Sequence, residues 1–150
     1  MLAAGAPTRT AWAFDSFEGL PSPSDEDEEV EAADWEGSCL GREENVRDAM
    51  KRFADPRQLR IVKGWFDETL TAHAAEIGPI AVLHADGDWY DSVRLTLDVL
   101  YEGVSHGGWV VVDDYDAWSG ARKAVDGFRT EHDIFSPLCH AEASVYWRKT

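Results

Sequence analysis

The chain has few cysteines and no long apolar run. Its two cysteines, Cys39 and Cys139, stand far apart without a CxxC or Cys/His spacing, which argues against a zinc site or a disulfide scaffold. No segment approaches the ~18 apolar residues that a membrane-spanning helix needs, and the first residues lack the charged and apolar regions of a signal peptide. These absences predict a reduced, cytoplasmic protein.

Basic residues are also scarce. There are 14 lysines and arginines against 29 aspartates and glutamates, a formal charge of -15, so phosphate backbones and anionic membranes are repelled. We therefore expect neither nucleic acid nor a membrane as a partner. Six of the negative charges lie in the segment DEDEEVE at 25–31. The surrounding residues 22–37 are rich in Pro, Ser and acids, and we interpret them as a mobile, solvated loop or insertion.

The patterns that are present predict one α/β domain. With 150 residues, 44% of them apolar and seven of them Trp, the chain has room for a single core spanning residues 1–150. Apolar runs and alternation predict strands, and apolar residues at helical spacing predict helices. The predicted strands are 10–14, 59–62, 80–83, 109–112, 138–140 and 145–148, and the predicted helices are 43–53, 67–76, 92–101 and 119–130.

The segment 79–118 has the pattern of a strand, a helix and a second strand. The run 80–83 is continuously aliphatic, which is typical of a strand covered on both faces, and the run 109–112 follows a predicted turn at Gly107-Gly108. Asp91 is a plausible N-cap of the helix between them. Because such crossovers are right-handed and join neighbouring parallel strands, the residues after both runs should meet at one edge of the sheet.

Acidic residues follow both of these strands. They are Asp86, Asp88, Asp113, Asp114 and Asp116. Carboxylates that close raise one another's pKa or bind a cation, and Mg²⁺ prefers oxygen ligands of this kind. The alternative is that some of them cap helices: Asp88 or Asp91 the helix near Ser92, and Asp116 the helix near Ser119. The consecutive pair Asp113-Asp114 is hard to explain as caps, so we predict a metal site that includes Asp86, Asp113 and Asp114.

Another acid ends the first predicted strand. Asp15 follows the apolar run 10–14 and is itself followed by a turn. A carboxylate in this position can accept hydrogen bonds from both hydroxyls of a ribose. Taken alone, this pattern is a weak indication of a nucleoside site.

Several longer motifs together resemble one family. They are FDSFEGLP at 14–21, VKGWFDETL at 62–70, IAVLHADGDWYDSV at 80–93, GGWVVVDDY at 107–115, SGARKAVDGFR at 119–129 and YWRK at 146–149. In this order they are similar to the S-adenosylmethionine-dependent sugar O-methyltransferases of macrolide biosynthesis, the macrocin and mycinamicin type. The similarity covers most of the chain.

The resemblance implies a Rossmann-like class I methyltransferase sheet with helices on both faces and an antiparallel C-terminal hairpin. It implies that Asp15 and Ser16 bind the ribose part of the cofactor and that the turn 64–66 lies near the adenine. It places Asp86, Asp113 and Asp114 on the magnesium ligands, and Asp86, with Asp88 second, as the base that deprotonates the acceptor hydroxyl. The cofactor residues of that turn are Gly64, Trp65 and Phe66.

One part of the family pattern has no counterpart. The first strand and its glycine-rich cofactor loop should precede FDSFEGLP, but only residues 1–9, which resemble the end of the following helix, precede Thr10. That strand lies mid-sheet in the family, so its absence should leave a gap between the strands that end at Asp15 and Asp86, or force them together. We therefore expect the C-terminal part of such an enzyme, acting on a small acceptor such as a glycosylated natural product, with a homo-oligomer as a candidate assembly.

Two rival interpretations stay open. The first is a noncatalytic remnant or partner-dependent fragment that keeps the metal site without cofactor binding. The second, a magnesium-dependent phosphoryl-transfer enzyme or hydrolase, uses the same carboxylates but leaves FDSFEGLP and VKGWF unexplained.

Overall fold

The computed structural model describes residues 9–28, 32–53 and 55–150. The predicted helix end at 1–9 therefore lies, but for Arg9, outside the described residues. None of the described helices is both long and apolar enough to cross a bilayer. The helices and strands are β1 Ala11–Asp15, α1 Glu43–Phe53, β2 Leu59–Lys63, α2 Phe66–Ile77, β3 Ile80–Ala85, α3 Tyr90–Leu100, β4 Val104–Val112, α4 Ser119–Glu131, β5 Cys139–Ala141 and β6 Ser144–Arg148, with short 3-10 turns at Ala32–Trp35, Pro56–Gln58 and Tyr101–Gly103.

In the described part of the chain the strands form two sheets. Strands β1 and β2 pair in parallel, and the second sheet has the order β3-β4-β6-β5. Strands β3 and β4 are parallel, as the crossover rule predicts, whereas β6 runs antiparallel to both β4 and β5. The predicted α/β class and the antiparallel C-terminal hairpin are confirmed.

The core lies between the second sheet and helices α3 and α4. Val93 and Leu97 of α3 and Val125 and Phe128 of α4 are 0% exposed, because residues three or four apart share one helix face. They pack against side chains such as Val110 on the sheet. Each such side chain contributes about 1.5–3 kcal/mol when fully buried, so this layer supports the strand ends that carry the acidic residues.

The other face of this sheet is open in the described residues, contrary to the prediction for 80–83. Leu83 and Ala85 are buried, but Val82 is 58% exposed and Trp109 on the neighbouring strand is 40% exposed. The continuous aliphatic run is typical of a parallel strand with two covered faces. Only the face towards α3 and α4 is covered here.

The predicted turn at Gly107-Gly108 is wrong, since both glycines lie within β4. Ile80 of β3 pairs with Val104 of β4, but Val82 pairs with Trp109, so β4 has more residues than β3 between these two pairs. The additional residues of β4 form a bulge that contains both glycines. Gly107 has a φ of 79°. A Cβ on Gly108 would come within 2.8 Å of the Ser105 carbonyl oxygen. Both positions require glycine for the bulge, which explains why they read as a turn in the sequence.

A cleft of about 910 Å³ separates β1 from β3. The two strands are not hydrogen-bonded neighbours, and apolar side chains including Leu70, Ile77, Leu83 and Leu100 line the space between them. Of the two outcomes predicted for these strands, the gap is the one observed. Asp15, at the carboxyl end of β1, and Asp86, directly after β3, therefore both line this cleft.

Candidate metal and cofactor site

The acidic residues after β3 and β4 meet at one edge of the sheet, as the strand-helix-strand pattern predicts. Asp113 follows Val112 directly, and its backbone N–H donates to the carbonyl oxygen of Ala85 at 2.9 Å. The ladder between the two strands therefore continues to the point where the acids begin. Asp86 follows Ala85 on the neighbouring strand.

Three carboxylates converge at this edge. Among the described residues, Asp86, Asp88 and Asp114 each offer an oxygen within 4.8 Å of the others, and we call them the acidic cluster. Asp113 is not in that group, because its Oδ1 accepts hydrogen bonds from the Ser144 hydroxyl and the Asp114 N–H. The structure thus brings together two of the three predicted ligands and adds Asp88; Asp113 as a ligand stays a prediction.

The backbone of the acidic cluster is unusual at two positions. Asp88 has a φ of 55° and Asp114 a φ of 59°, in the left-handed region that aspartate adopts more readily than most residues. Around Asp88 the chain turns tightly, with the Trp89 N–H donating to the Gly87 carbonyl oxygen. A Cβ on Gly87 would approach that of Ser92 to 2.8 Å. The sequence Asp-Gly-Asp at 86–88 is of a type that favours such a turn.

Crowding raises the pKa values of all three acids. For Asp114, burial and then the charges of Asp88, Asp113 and Asp86 raise the pKa to about 6. Burial and Asp113 raise the pKa of Asp86, which keeps contact with solvent, and burial and Asp86 raise the pKa of Asp88. A hydrogen bond from the Trp118 side chain acts in the opposite direction on Asp88. The site disfavours its own negative charge and favours a bound cation.

These shifts predict how the stability of the metal-free protein depends on pH. Because Asp114 keeps a proton up to about pH 6 when folded but loses it near pH 3.8 when unfolded, the free energy of unfolding falls as pH rises through that window. Asp114→Asn removes this contribution, so the variant should gain stability relative to the unmodified protein between about pH 4 and about pH 6. Urea unfolding across that range measures the difference; a difference that does not change with pH contradicts the shift.

The helix-cap alternative for these acids is wrong. Helix α3 follows Trp89 and α4 follows Trp118, and neither residue makes a side-chain cap. Asp91 lies inside the first turn of α3. Asp116 accepts hydrogen bonds from Arg122 at 2.8 Å and pairs with His140 at 3.0 Å. The carboxylates at the strand ends therefore have no structural role as caps.

The predicted cofactor residues lie together on the other side of the cleft. Asp15 ends β1 and is exposed; its Oδ1 accepts from the Phe17 N–H at 2.6 Å. Its carbonyl oxygen accepts from the Gly64 N–H at 3.0 Å, which joins the acid to the turn after β2. Ser16 is buried, and its hydroxyl accepts from the Glu18 N–H at 3.0 Å, so it shapes the turn.

The turn after β2 directs α2 towards the acidic cluster. Gly64 has a φ of 142°, and a Cβ there would approach Thr69 to 2.9 Å, so the turn requires glycine. Trp65 precedes α2 and its carbonyl oxygen accepts from the Thr69 hydroxyl at 2.8 Å. Phe66 lines the cleft and reaches Gly87, between the two acids of β3. The nearness of the two sides is also visible in Asp15, whose charge raises the pKa of Asp86.

Comparison with known proteins places this geometry in a family. The family model described as macrocin O-methyltransferase (TylF) matches residues 1–149. The chain is 38% identical over 151 residues to demethyldecarbamoylnovobiocin O-methyltransferase of Streptomyces niveus, covering 95% of this chain and 56% of the relative. It is 34% identical over 152 residues to a tetracenomycin rhamnosyl 4'-O-methyltransferase of Streptomyces olivaceus, covering 97% of this chain and 57% of the relative.

A solved structure agrees with these matches. The O-methyltransferase NovP superposes with a TM-score of 0.83 at 35% identity, covering 97% of this chain and 62% of NovP. The chain thus spans less than two thirds of the length of each of these relatives. Since the family model matches nearly every residue, the chain belongs to the macrocin O-methyltransferase family.

Proposed function

We propose that this chain is part, a single partial domain, of an enzyme that transfers a methyl group from S-adenosylmethionine to a hydroxyl of a sugar or related small acceptor with the help of a metal ion. The observation that carries the proposal is the convergence of Asp86, Asp88 and Asp114 at the ends of β3 and β4, with Asp86 lining the same cleft as Asp15. In an O-methyltransferase family, we infer that the acidic cluster binds the acceptor hydroxyl (the acceptor side) and that Asp15 binds the methyl donor (the donor side).

The acidic cluster suits Mg²⁺ by its chemistry. Three carboxylates within 4.8 Å offer hard oxygen ligands, and water can complete the coordination. Burial, and then repulsion between the carboxylates, raises the pKa of each of them when no cation is present. We propose Asp86, Asp88 and Asp114 as ligands. Asp113, which the resemblance implies as a ligand, is one residue from Asp114 and adds its charge to the same site.

Bound Mg²⁺ supplies a positive charge that lowers the pKa of an acceptor hydroxyl. The chain must orient that hydroxyl and take its proton. We propose Asp86 as the base because it is the member of the acidic cluster that lines the cleft together with Asp15, on the donor side. Asp88 is second, since its carboxylate already accepts a hydrogen bond from Trp118.

Asp15 is the proposed ribose ligand on the donor side. Its carboxylate is exposed at the end of β1 and joined through its backbone to the turn that begins at Gly64. Ser16 supports the turn after Asp15. We propose that Gly64, Trp65 and Phe66 border the adenine; of these, Phe66 lines the cleft. These roles follow the pattern by which a carboxylate at a strand end binds ribose hydroxyls in related α/β sheets.

The acceptor class is taken from the relatives. Their names describe methylation of a novobiocin precursor and of a rhamnosyl tetracenomycin, so we propose a small glycosylated natural product of an antibiotic pathway as the acceptor. We also propose that the complete protein is a homo-oligomer.

One observation favours a second candidate function. Strands β1 and β3 are separated by the cleft and are not hydrogen-bonded to each other. A noncatalytic or partner-dependent fragment that binds metal but not the methyl donor is consistent with this gap.

Calorimetric titration with S-adenosylmethionine decides between the two. If the donor side is functional, the chain binds S-adenosylmethionine saturably, and Asp15→Ala weakens binding by about tenfold or more, because two hydrogen bonds to a charged group are lost. Glu18→Ala is the control, since it removes an exposed acid from the same turn. Absence of saturable binding by the unmodified chain contradicts catalysis by this chain and supports the fragment.

A further inference from the structure

The acidic segment after β1 is packed against the site. We call residues 20–38 the acidic strap; the structure describes 20–28 and 32–38 of it. The interpretation as a wholly solvated loop fails at Asp27, which is 8% exposed. A buried carboxylate is costly unless hydrogen bonds replace its water, so the surroundings of Asp27 indicate what the strap does.

Asp27 joins the strap to the beginning of α3. Its Oδ2 accepts from the N–H of Ser24 at 2.9 Å and from the Ser24 hydroxyl at 3.0 Å. Its Oδ1 accepts from the N–H of Tyr90, the first residue of α3, at 2.9 Å. That N–H has no partner within the helix, and a negative charge at a helix N-terminus is favourable. Asp27 therefore caps α3 from 63 residues away.

A second contact fixes the residue before Tyr90. The indole N–H of Trp89 donates to the carbonyl oxygen of Pro21, in the strap, at 2.8 Å. Trp89 is 1% exposed and meets the ring of Trp118 edge to face at 4.9 Å. Trp118 in turn hydrogen-bonds the carboxylate of Asp88. The strap thus holds both residues that follow Asp88 in the chain.

The outer contacts of the strap are weaker. Lys123 of α4 pairs with Glu26 at 2.6 Å and with Glu28 at 3.3 Å, but these side chains are about half exposed or more. Exposed ion pairs of this kind typically contribute less than about 1 kcal/mol. Asp27 and the Trp89 contact are therefore the buried polar contacts that join the strap to the beginning of α3.

We propose that Asp27 is a positioning residue for the metal site: by capping α3 it holds the tight turn at Asp88 and so keeps the Asp88 carboxylate within the acidic cluster. Asp88 lies in the left-handed region, a conformation that persists only where the surroundings hold it. The strap, which lies outside the strand-helix-strand unit, fixes this conformation through its hydrogen bonds to Trp89 and Tyr90. This inference rests on the proposed metal site.

Gly120 offers an independent way to displace Asp27. A Cβ on Gly120 would lie 1.7 Å from the Asp27 Oδ1 and 3.0 Å from the Tyr90 nitrogen. In an exposed helix, Gly→Ala usually stabilises. Here Gly120→Ala should force Asp27 out of its position without removing a carboxylate.

The test is a calorimetric Mg²⁺ titration of the full chain and its variants, each first checked for folding by circular dichroism. We expect Asp27→Ala and Gly120→Ala each to weaken Mg²⁺ binding by about tenfold, as is typical for residues that orient metal ligands. Asp27→Asn keeps an oxygen for the Tyr90 N–H and should retain most of the affinity. Asp25→Ala removes an exposed acid of the same strap and should change the affinity by less than about twofold.

The outcomes distinguish a failure of the proposed role of Asp27 from a failure of the proposed metal site. If the unmodified chain binds Mg²⁺ and both Asp27→Ala and Gly120→Ala bind it equally well, Asp27 has no positioning role, while the metal site stands. Equal losses in Asp25→Ala and Asp27→Ala also overturn it, because only the net charge then matters. If the unmodified chain does not bind Mg²⁺, the proposed metal site is wrong and the role of Asp27 is overturned with it.

Discussion

Asp114→Asn should abolish the stabilisation of this protein by Mg²⁺. We expect Mg²⁺ at about 100 times its dissociation constant to stabilise the folded state of the unmodified chain by about 2.7 kcal/mol and to raise its thermal midpoint by about 5 to 10 °C. Asp114 is half-buried and within reach of both other members of the acidic cluster. Residues that only orient a metal ligand typically change the metal affinity by about 10- to 100-fold when they are mutated. Replacing a ligand itself with a neutral amide should therefore weaken Mg²⁺ binding by at least about 100-fold. Thermal unfolding with and without Mg²⁺ measures this.

Asp113→Asn is the matched comparison. It removes one carboxylate from the adjacent position, and the Oδ1 of that carboxylate already accepts hydrogen bonds from the Ser144 hydroxyl and the Asp114 N–H. We expect a smaller loss of the Mg²⁺-dependent shift than in Asp114→Asn. The reverse order would mean that Asp113 is the ligand implied by the family resemblance and that Asp114 supports it.

Phe128→Ala should be the most destabilising of the substitutions considered. Phe128 is 0% exposed; its ring meets Tyr101 edge to face at 5.0 Å and stacks on His132 at 4.2 Å. Truncating a buried Phe costs about 3–5 kcal/mol through lost burial and the cavity left behind. Since domains are stable by only about 5–15 kcal/mol, the thermal midpoint should fall by about 10 °C or more.

Phe135→Ala is the control for that loss. Phe135 lies just beyond α4 and is 86% exposed, so its truncation should change the free energy of unfolding by less than about 0.5 kcal/mol. Urea unfolding of both variants gives the two values. Equal losses would mean that the layer between α3, α4 and the sheet is not the core.

Local patterns were sufficient for much of the fold. The helical spacing of Val93 and Leu97 and of Val125 and Phe128 predicts which faces are buried, and all four side chains are. The handedness of strand-helix-strand units predicts that the acids after β3 and β4 share one edge, and they do. These predictions succeeded because each depends on residues close together in the chain.

The details of the site depend on contacts that local patterns do not contain. Whether Asp88 or Asp113 points into the acidic cluster is decided by the left-handed turn at Asp88 and by Ser144, 31 residues beyond Asp113. The burial of Asp27 depends on Tyr90 and Gly120, far along the chain. In the sequence, Asp27 is one of several acids in a row, and nothing in that composition distinguishes this buried residue from its more exposed neighbours.

The failed prediction for β3 has a similar cause. A continuous aliphatic run indicates that the strand suits burial on both faces, but it does not say what covers the second face. Val82, which lines the cleft beside β1, and Trp109 are both exposed on that face in the described residues.

Calorimetric titration of the unmodified chain with Mg²⁺ at neutral pH tests the central claim most directly. We predict saturable binding at one site per chain, weakened as the pH falls below about 6, because protonation of Asp114 then competes with the cation. Heats that do not saturate, or binding that Asp114→Asn leaves unchanged, would contradict a metal site at the ends of β3 and β4.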